Sequence, residues 1–420
     1  MTATTTGSIL LAVAVILLAA RAGGLLFERL RQPAVIGELA AGVLLGPTLL
    51  GALPGDPAGA LFPQDVMAVL RPIGDIGLVL FMFMVGWQLD LRLVRHRERA
   101  AVMISLASIA LPFGLGLALA AQLHPDYGEV GGEPVAFVPF ALFVGAALSI
   151  TAFPVLARIL HDLGLAGTPL GALALSAAAI DDVIGWTLLA IAVAVLSADA
   201  WDWLRIVAET AVLLAAVALL ARPALAAAVR AGRPGGDVVV VVAALAGAFA
   251  TDAIGIHAVF GAFAVGVAMP RGASGDDTSG REAGELRRGL QWAIALLVPI
   301  YFVGAGMAID IPALRASDVA ALLLIVAAAC AGKFLGAFGG ARAAGMGSRD
   351  ATALAVLMNT RGLVEIVLLT VGRDRGLIGD RLFTLFALMA IFTTLLTTPL
   401  LRVTARSTLE RLAGGPVAAL

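Results

Sequence analysis

The sequence predicts an all-α polytopic membrane protein of about 13 transmembrane helices, on the criterion of roughly 20 apolar residues per crossing. Composition is the first reason. The 420 residues are 60% hydrophobic and only 14% charged, whereas a soluble domain carries about a quarter charged residues. The second is patterning, because apolar runs of crossing length follow one another with short polar loops between them. A third observation points past the fold. Asp181 and Asp182 stand side by side in the run 168–197, which holds no other charge. A carboxylate at mid-bilayer costs roughly 2.5–3.5 kcal/mol on insertion scales, so such a pair marks a functional site by default.

In chain order, span 1 (8–27) follows a leader without basic residues and is too long for a signal-peptide core, so it is read as a retained span. Spans 2 (33–51), 3 (66–89) and 4 (99–121) follow, separated by polar loops. Span 5 (136–161) contains Ser149-Ile-Thr-Ala-Phe-Pro154, and span 6 (168–197) carries the aspartate pair. Spans 7 (203–221), 8 (237–253) and 9 (255–270) come next, the last two divided at Asp252–Gly255. Span 10 (289–309) precedes span 11 (318–341), which contains Lys333. Span 12 (350–371) contains Met358-Asn-Thr-Arg-Gly362, and span 13 (381–402) is followed by about 18 residues.

Arginines set the expected orientation. They cluster in alternate loops, as at Arg29 and Arg31, then Arg92, Arg95, Arg97 and Arg99, while intervening loops carry Asp126, Glu129 and Glu133. Basic loops face the cytoplasm, which puts the N-terminus outside and the C-terminus inside a cell (inner) membrane. One loop, with Arg373, Asp374, Arg375, Asp380 and Arg381, is mixed and does not fit the alternation. The net charge of -1 argues against nucleic acid as a partner. The single Cys330 excludes an intramolecular disulfide, and His96, His124, His161 and His257 show no metal-ligand spacing. No cofactor is expected.

Thirteen spans divide as six, one and six, which suggests inverted repeats with a binding site near the midplane. Spans 5 and 12 occupy corresponding positions, and both are interrupted. Pro154 cannot donate to the Ile150 carbonyl, and Asn359, Thr360 and Gly362 are poor helix formers. Irregular backbone at that depth is tolerated only where protein buries it or water reaches it.

Of 28 basic residues, Lys333 is the sole lysine, and nothing else is charged from Val319 to Ala341. Arginine is always protonated, whereas a buried lysine can lose its proton. A fixed charge needs no lysine. Asp181 and Asp182 point about 100° apart on a helix, so one suits a pair with Lys333 and the other a cavity where cation and proton compete. Glu38 and Asp75 also lie within spans, and Arg361 and Glu365 are spaced to pair on one helix face. Those acids and Arg361 fit a packing role at least as well as transport. Cys330 fits a packing role, and His257 an interhelical hydrogen bond rather than a proton relay.

The stretches Pro33–Pro47, Ser149–Leu160, Ala179–Val183 and Asn359–Glu365 together resemble the monovalent cation:proton antiporter superfamily. The likeness is to its second branch, which holds NapA-type sodium/proton antiporters, Kef-type potassium systems and plant cation/proton exchangers. It implies a 13-helix fold with two crossed discontinuous helices. It implies a dimer-forming part (about 1–90 and 237–309) and a core transport part (about 99–197 and 318–402). On this resemblance Asp182 binds the ion, as the ligand of a monovalent cation, and Asp181 pairs with Lys333. Thr151 lies at the crossover, with Asn359 and Thr360 as further ligands and Arg361, Glu365 and Glu38 as a supporting ion-pair group. Kef-like and plant-like members usually carry Gln-Asp or Asn-Asp at the pair, yet Glu365 sits as in plant exchangers. Na⁺ is the first expectation for the cargo and K⁺ the second, each against H⁺. A homodimer without a cytosolic regulatory domain is expected.

Other classes make demands that this sequence meets less well. An intramembrane aspartyl protease needs acids from two helices that share a proton, and a Walker ATPase needs Ser or Thr where Phe334 follows Lys333. A cation channel or Kef-like efflux pathway and an organic-anion:sodium symporter stand as alternatives.

Overall fold

The computed structural model describes residues 3–30, 32–88, 98–162, 165, 168–196, 200–231, 236–254, 258–270 and 278–404. Helices dominate them: α1 (Ala3–Arg29), α2 (Ala34–Leu45), α3 (Pro57–Leu61), α4 (Gln64–Gln88), α5 (Glu98–Tyr127), α6 (Phe137–Ser149), α7 (Phe153–Asp162), α8 (Pro169–Leu196), α9 (Ala200–Ala216), α10 (Arg222–Ala231), α11 (Gly236–Ile254), α12 (Val259–Ala268), α13 (Thr278–Met307), α14 (Ala316–Ala343), α15 (Ser348–Met358), α16 (Leu363–Asp374) and α17 (Asp380–Thr404). A π-helical turn, Val217–Ala221, joins α9 to α10, and Glu129–Val130 pairs antiparallel with Glu133–Pro134 after α5.

This is a multi-pass membrane protein. Among the described residues, seven helices are long and apolar enough to cross a membrane: α1, α4, α5, the stretch Ala208–Ala227, α13, α14 and α17. α2, α6, α11 and α12 are apolar but shorter. Two of the expected spans are shorter because each is two helices. Span 5 is α6 and α7, separated by Ile150–Ala152, and span 12 is α15 and α16, separated by Asn359–Gly362. Pro154 is the second residue of α7, where a missing N–H costs nothing, so the break precedes the proline. His96, His257 and the arginines Arg31, Arg92, Arg95 and Arg97 used for orientation lie outside the described residues.

The chain divides into two compact units. The first comprises Met1–Arg21, Leu44–Asp90 and Ser197–Met307. Phe83, Val240, Ala244, Ala262 and Val265 form one of its buried clusters, and Ile16, Val66, Leu70 and Val303 contribute to another. α4 and α12 touch backbone to backbone. A Cβ on Gly86 would meet the Phe263 carbonyl oxygen, and one on Gly266 the Phe83 carbonyl oxygen.

The second unit comprises Ala22–Val43, Leu91–Leu196 and Ala308–Leu420. Its centre is the antiparallel contact of α5 with α14. A Cβ on Gly332 would lie 2.7 Å from Pro112 Cα, one on Gly340 2.9 Å from Ile104 Cα, and one on Gly336 inside the Ala107 carbonyl. Lipid gives helices no hydrophobic drive to associate, so residues small enough for backbone contact set where they pack. At one end of this unit the Tyr127 hydroxyl donates to Asp318 Oδ1 at 2.6 Å and the Arg315 N–H to Oδ2 at 2.7 Å. Arg381 Nη2 also donates to Asp318, with its guanidinium 5.0 Å over the Tyr127 ring. The ends of α5, α14 and α17 are thereby tied together. Arg381 of the mixed loop is part of this tie, and Arg373 of the same loop lies 3.8 Å from both Asp374 and Asp380.

Candidate ion-binding site

The two broken segments cross inside the second unit. The Ala152 N–H donates to the Thr360 carbonyl at 2.9 Å. Each break leaves helix ends whose backbone groups lack intrahelical partners, and the sequence supplies partners for them. Arg361, fully buried, donates from Nη1 to the Ala147 carbonyl at 2.8 Å and from Nη2 to the Leu148 carbonyl. It thus places a cation at the negative end of α6. Glu365, one turn on, is 3.4 Å from Nη1. From α17 the Thr394 hydroxyl donates to the Arg361 carbonyl at 2.6 Å and accepts the Arg361 N–H at 3.1 Å. Gly362 then starts α16 at φ 149° and ψ -118°, a conformation essentially confined to glycine.

The middle of α8 brings both aspartates to this crossing, and their surroundings differ. Asp181 is fully buried and rich in donors. Lys333 Nζ is 2.9 Å from its Oδ2 and the Thr151 hydroxyl 2.8 Å from the same atom. The Ser105 hydroxyl lies 2.6 Å from Oδ1, and the Ser108 hydroxyl 3.2 Å from Oδ1 and 3.1 Å from Oδ2. Thr151 accepts from Lys333 at 2.7 Å and is 3.0 Å from the Met358 carbonyl. Its one proton goes either to Asp181 or to that carbonyl.

Asp182 is only 3% exposed. It accepts from the Phe153 backbone N–H at the start of α7, a helix end that favours an anion. Among the described residues its Oδ1 has no hydrogen-bond partner. Buried polar atoms are rarely left so, because an unmet donor or acceptor costs about 1–3 kcal/mol. Of the five buried ionisable groups around the crossing, Asp181 pairs with Lys333 and Arg361 with Glu365. Asp182 is left without its own counter-charge and with an open oxygen.

The structure therefore brings Asp181, Asp182, Lys333, Thr151, Asn359, Thr360, Arg361 and Glu365 into one unit around one crossing. Asn359 Nδ2 faces Cys330 Sγ at 3.8 Å, and its Oδ1 is buried without a partner. Thr360 lies in the same break. Its hydroxyl donates to the Leu357 carbonyl at 2.7 Å and its carbonyl takes the Ala152 N–H, so its polar groups serve the break itself. Glu38 lies on α2, and its Oε2 has no hydrogen-bond partner among the described residues. Sequence reasoning missed Ser105, Ser108 and Thr394, as well as the glycines at 332, 336 and 340. The four-residue glycine spacing was a readable signal, and so were two serines three apart in an apolar span.

Residues 13–406 match the family model described as sodium/hydrogen exchanger, transmembrane. The Na(+)/H(+) antiporter NhaS4 of Synechocystis sp. is 38% identical over 404 residues, covering 93% of this chain and 96% of that protein. Cation/H(+) antiporter 19 of Arabidopsis thaliana is 37% identical over 404 residues, 93% of this chain but 49% of its own length. The chain thus spans about half the length of that plant relative and of cation/H(+) antiporter 20, of which it covers 47%. The solved structure of the sodium proton antiporter MjNhaP1 from Methanocaldococcus jannaschii superposes with a TM-score of 0.60 at 17% identity, over 98% of this chain and 99% of that one, a likeness of fold. The match across residues 13–406, joined to a relative matched over almost its full length, makes this chain a member of the sodium/hydrogen exchanger family.

Proposed function

We propose that this chain is a secondary antiporter that exchanges a monovalent cation, Na⁺ first and K⁺ second, for protons across a membrane. One observation carries the reading. Two adjacent buried carboxylates have opposite hydrogen-bonding states, Asp181 surrounded by donors and Asp182 with an unpartnered oxygen. An open, buried carboxylate oxygen is a ligand for a hard cation and, when the cation leaves, a proton acceptor. Competition between the two for Asp182 couples their fluxes. Asn359 Oδ1, also buried and unpartnered, is a second ligand. Thr151 serves through Lys333 and Asp181.

Alternating access is carried by the second compact unit, since every residue of the site belongs to it. The first unit then provides the surface of a homodimer. The proposal includes 13 membrane segments, counting each broken pair as one, in six-plus-one-plus-six inverted repeats. It places the N-terminus outside and the C-terminus inside the cell (inner) membrane.

The test is exchange in everted vesicles, followed with a pH-sensitive dye on addition of Li⁺, Na⁺, K⁺ or Rb⁺. Asp182→Asn is expected to abolish the cation-driven pH change at unchanged protein level. Wild-type exchange by that variant refutes the site.

A further inference from the structure

One threonine of α17 bonds another segment where its neighbours bond their own helix. A hydroxyl in an apolar helix ordinarily turns to the carbonyl one turn back. Thr393 does so on Met389 at 2.9 Å, Thr397 on Thr393 at 3.1 Å and Thr404 on Leu400 at 2.6 Å. Thr394, fully buried, reaches the second break instead. Its hydroxyl donates to the Arg361 carbonyl at 2.6 Å and accepts the Arg361 N–H at 3.1 Å. One proton and one lone pair thus meet both backbone groups of a single residue, as a paired strand would.

Buried backbone groups need partners, and a broken helix has lost its own. Residues 360 and 361 are therefore fixed from three directions. The Thr360 carbonyl takes the Ala152 N–H at 2.9 Å from the first break. The Arg361 guanidinium reaches the Ala147 and Leu148 carbonyls at the end of α6. The Arg361 main chain is held from α17 by Thr394. Asn359 comes two residues earlier, with its N–H on the Val356 carbonyl at 3.2 Å. Its Oδ1 is buried without a partner among the described residues. Where that oxygen sits depends on the main chain that follows it, and Thr394 anchors that chain. α17 is itself anchored near its start. Arg381 bonds Asp318 of α14, and Thr384 Oγ1 accepts the Asp310 N–H at 3.3 Å.

We propose that Thr394 is a positioning residue that sets cation selectivity: by holding the Arg361 backbone it keeps Asn359 Oδ1 in a fixed place at the crossing, so that the site discriminates cations by size. The proposal rests on the antiport reading above, with Asn359 as second ligand. A ligand fixed by its supporting bonds suits one ionic radius better than another, whereas a ligand on a loosened segment follows whichever ion arrives.

The experiment uses the full chain in proteoliposomes at one fixed pH, with proton movement measured against rising Li⁺, Na⁺, K⁺ or Rb⁺. Competing protons raise the half-saturating concentration of every cation by the same factor, so the ratio between two cations reads the ligands and not the proton. Thr394→Val keeps the shape and loses the hydroxyl. It is expected to raise the KM of the preferred cation about tenfold, the equivalent of one lost hydrogen bond. It is also expected to bring the KM ratio between the most and least favoured cations toward one. Thr394→Ser, which keeps the hydroxyl, is expected to hold both at wild-type values. Thr393→Val, which removes a hydroxyl bonded to its own helix, is expected to change neither. A merely structural role lowers the maximal rate with KM and ratio unchanged, and that result overturns the proposal. So does a serine variant as impaired as the valine one, or an equal effect of Thr393→Val. Where Thr394→Val accumulates poorly, thermal stabilisation of Thr394→Ala in detergent by each cation reads the same ratio without transport. Asp182→Asn separates the two ideas. Exchange by that variant defeats the antiport site itself. Its inactivity beside a wild-type cation ratio in Thr394→Val defeats only the threonine assignment.

Discussion

Breaking the Asp181–Lys333 pair from either side should cost different amounts, because the two partners are unequally served. Lys333→Met leaves Asp181 with the hydroxyls of Ser105, Ser108 and Thr151 at 2.6–3.2 Å. Removing one partner of a buried pair costs about 3–5 kcal/mol, and three remaining donors place this variant near the low end, about 3 kcal/mol. Asp181→Leu leaves the Lys333 ammonium with the Thr151 hydroxyl at 2.7 Å. It also strips Ser105 and Ser108 of their acceptor, though Ser108 can turn to the Ser105 carbonyl at 3.0 Å. That variant belongs at the high end, about 5 kcal/mol. The double variant leaves no unpaired charge and is expected to cost less than Asp181→Leu alone, since apolar replacement of a whole buried pair is often neutral. The assay is unfolding in mixed micelles by increasing ionic detergent, followed by the fluorescence of the five tryptophans. Sodium and pH must be fixed, because a bound ion raises apparent stability. Equal costs for the two single variants, or a double variant equal to their sum, would refute the claim that Asp181 is held by hydroxyls as well as by the lysine.

Two further outcomes follow from the packing. Gly336→Val drives a side chain into the Ala107 carbonyl of α5 and should lower stability in the same titration by about 1–3 kcal/mol or more; Gly339→Val, where a Cβ meets nothing within 4 Å, should leave it unchanged. If the two behave alike, the glycine row does not set the α5–α14 contact. Arg361→Lys replaces a fork that reaches two carbonyls of α6 with a point charge that satisfies one, at an expected cost of about 1.5–3 kcal/mol. A neutral outcome would mean the end of α6 is not held by that guanidinium.

What could be read from the sequence was what is anomalous in an apolar run. Asp181, Asp182 and Lys333 stand out because charge in lipid is expensive, and the breaks at 150–152 and 359–362 announce themselves by helix-poor residues in expected spans. Arg361 and Glu365 could be paired from their spacing alone. The serines were invisible for a physical reason. A hydroxyl in a membrane helix can always satisfy itself on its own backbone, as Thr393 does on the Met389 carbonyl at 2.9 Å, so its presence predicts no partner. Only the position of α8 beside α5 shows that Ser105 spends its proton elsewhere. Thr394 was hidden because its role exists only once the break at Arg361 exposes a backbone N–H and carbonyl together.

The two buried cations, one lysine and one arginine, meet partners of different geometry. Arg361 joins two carbonyls of α6 and the Glu365 carboxylate, acceptors spread over several ångströms, and only a planar fork spans them. It closes a helix end and has no reason to change charge. Lys333 meets two acceptors that both crowd Asp181, Oδ2 at 2.9 Å and the Thr151 hydroxyl at 2.7 Å. A compact ammonium fits that position, and each acceptor has other donors or acceptors to turn to if the ammonium becomes an amine. Lys333 thus meets a carboxylate and a hydroxyl, whereas Arg361 meets two backbone carbonyls and the Glu365 carboxylate. Beside them Asp182, a single residue along α8, faces a helix N-terminus and no cation of its own. On the antiport reading proposed above, a proton or a monovalent cation arriving there neutralises the carboxylate at this crossing that has no counter-charge among the described residues, and that imbalance lets either one replace the other.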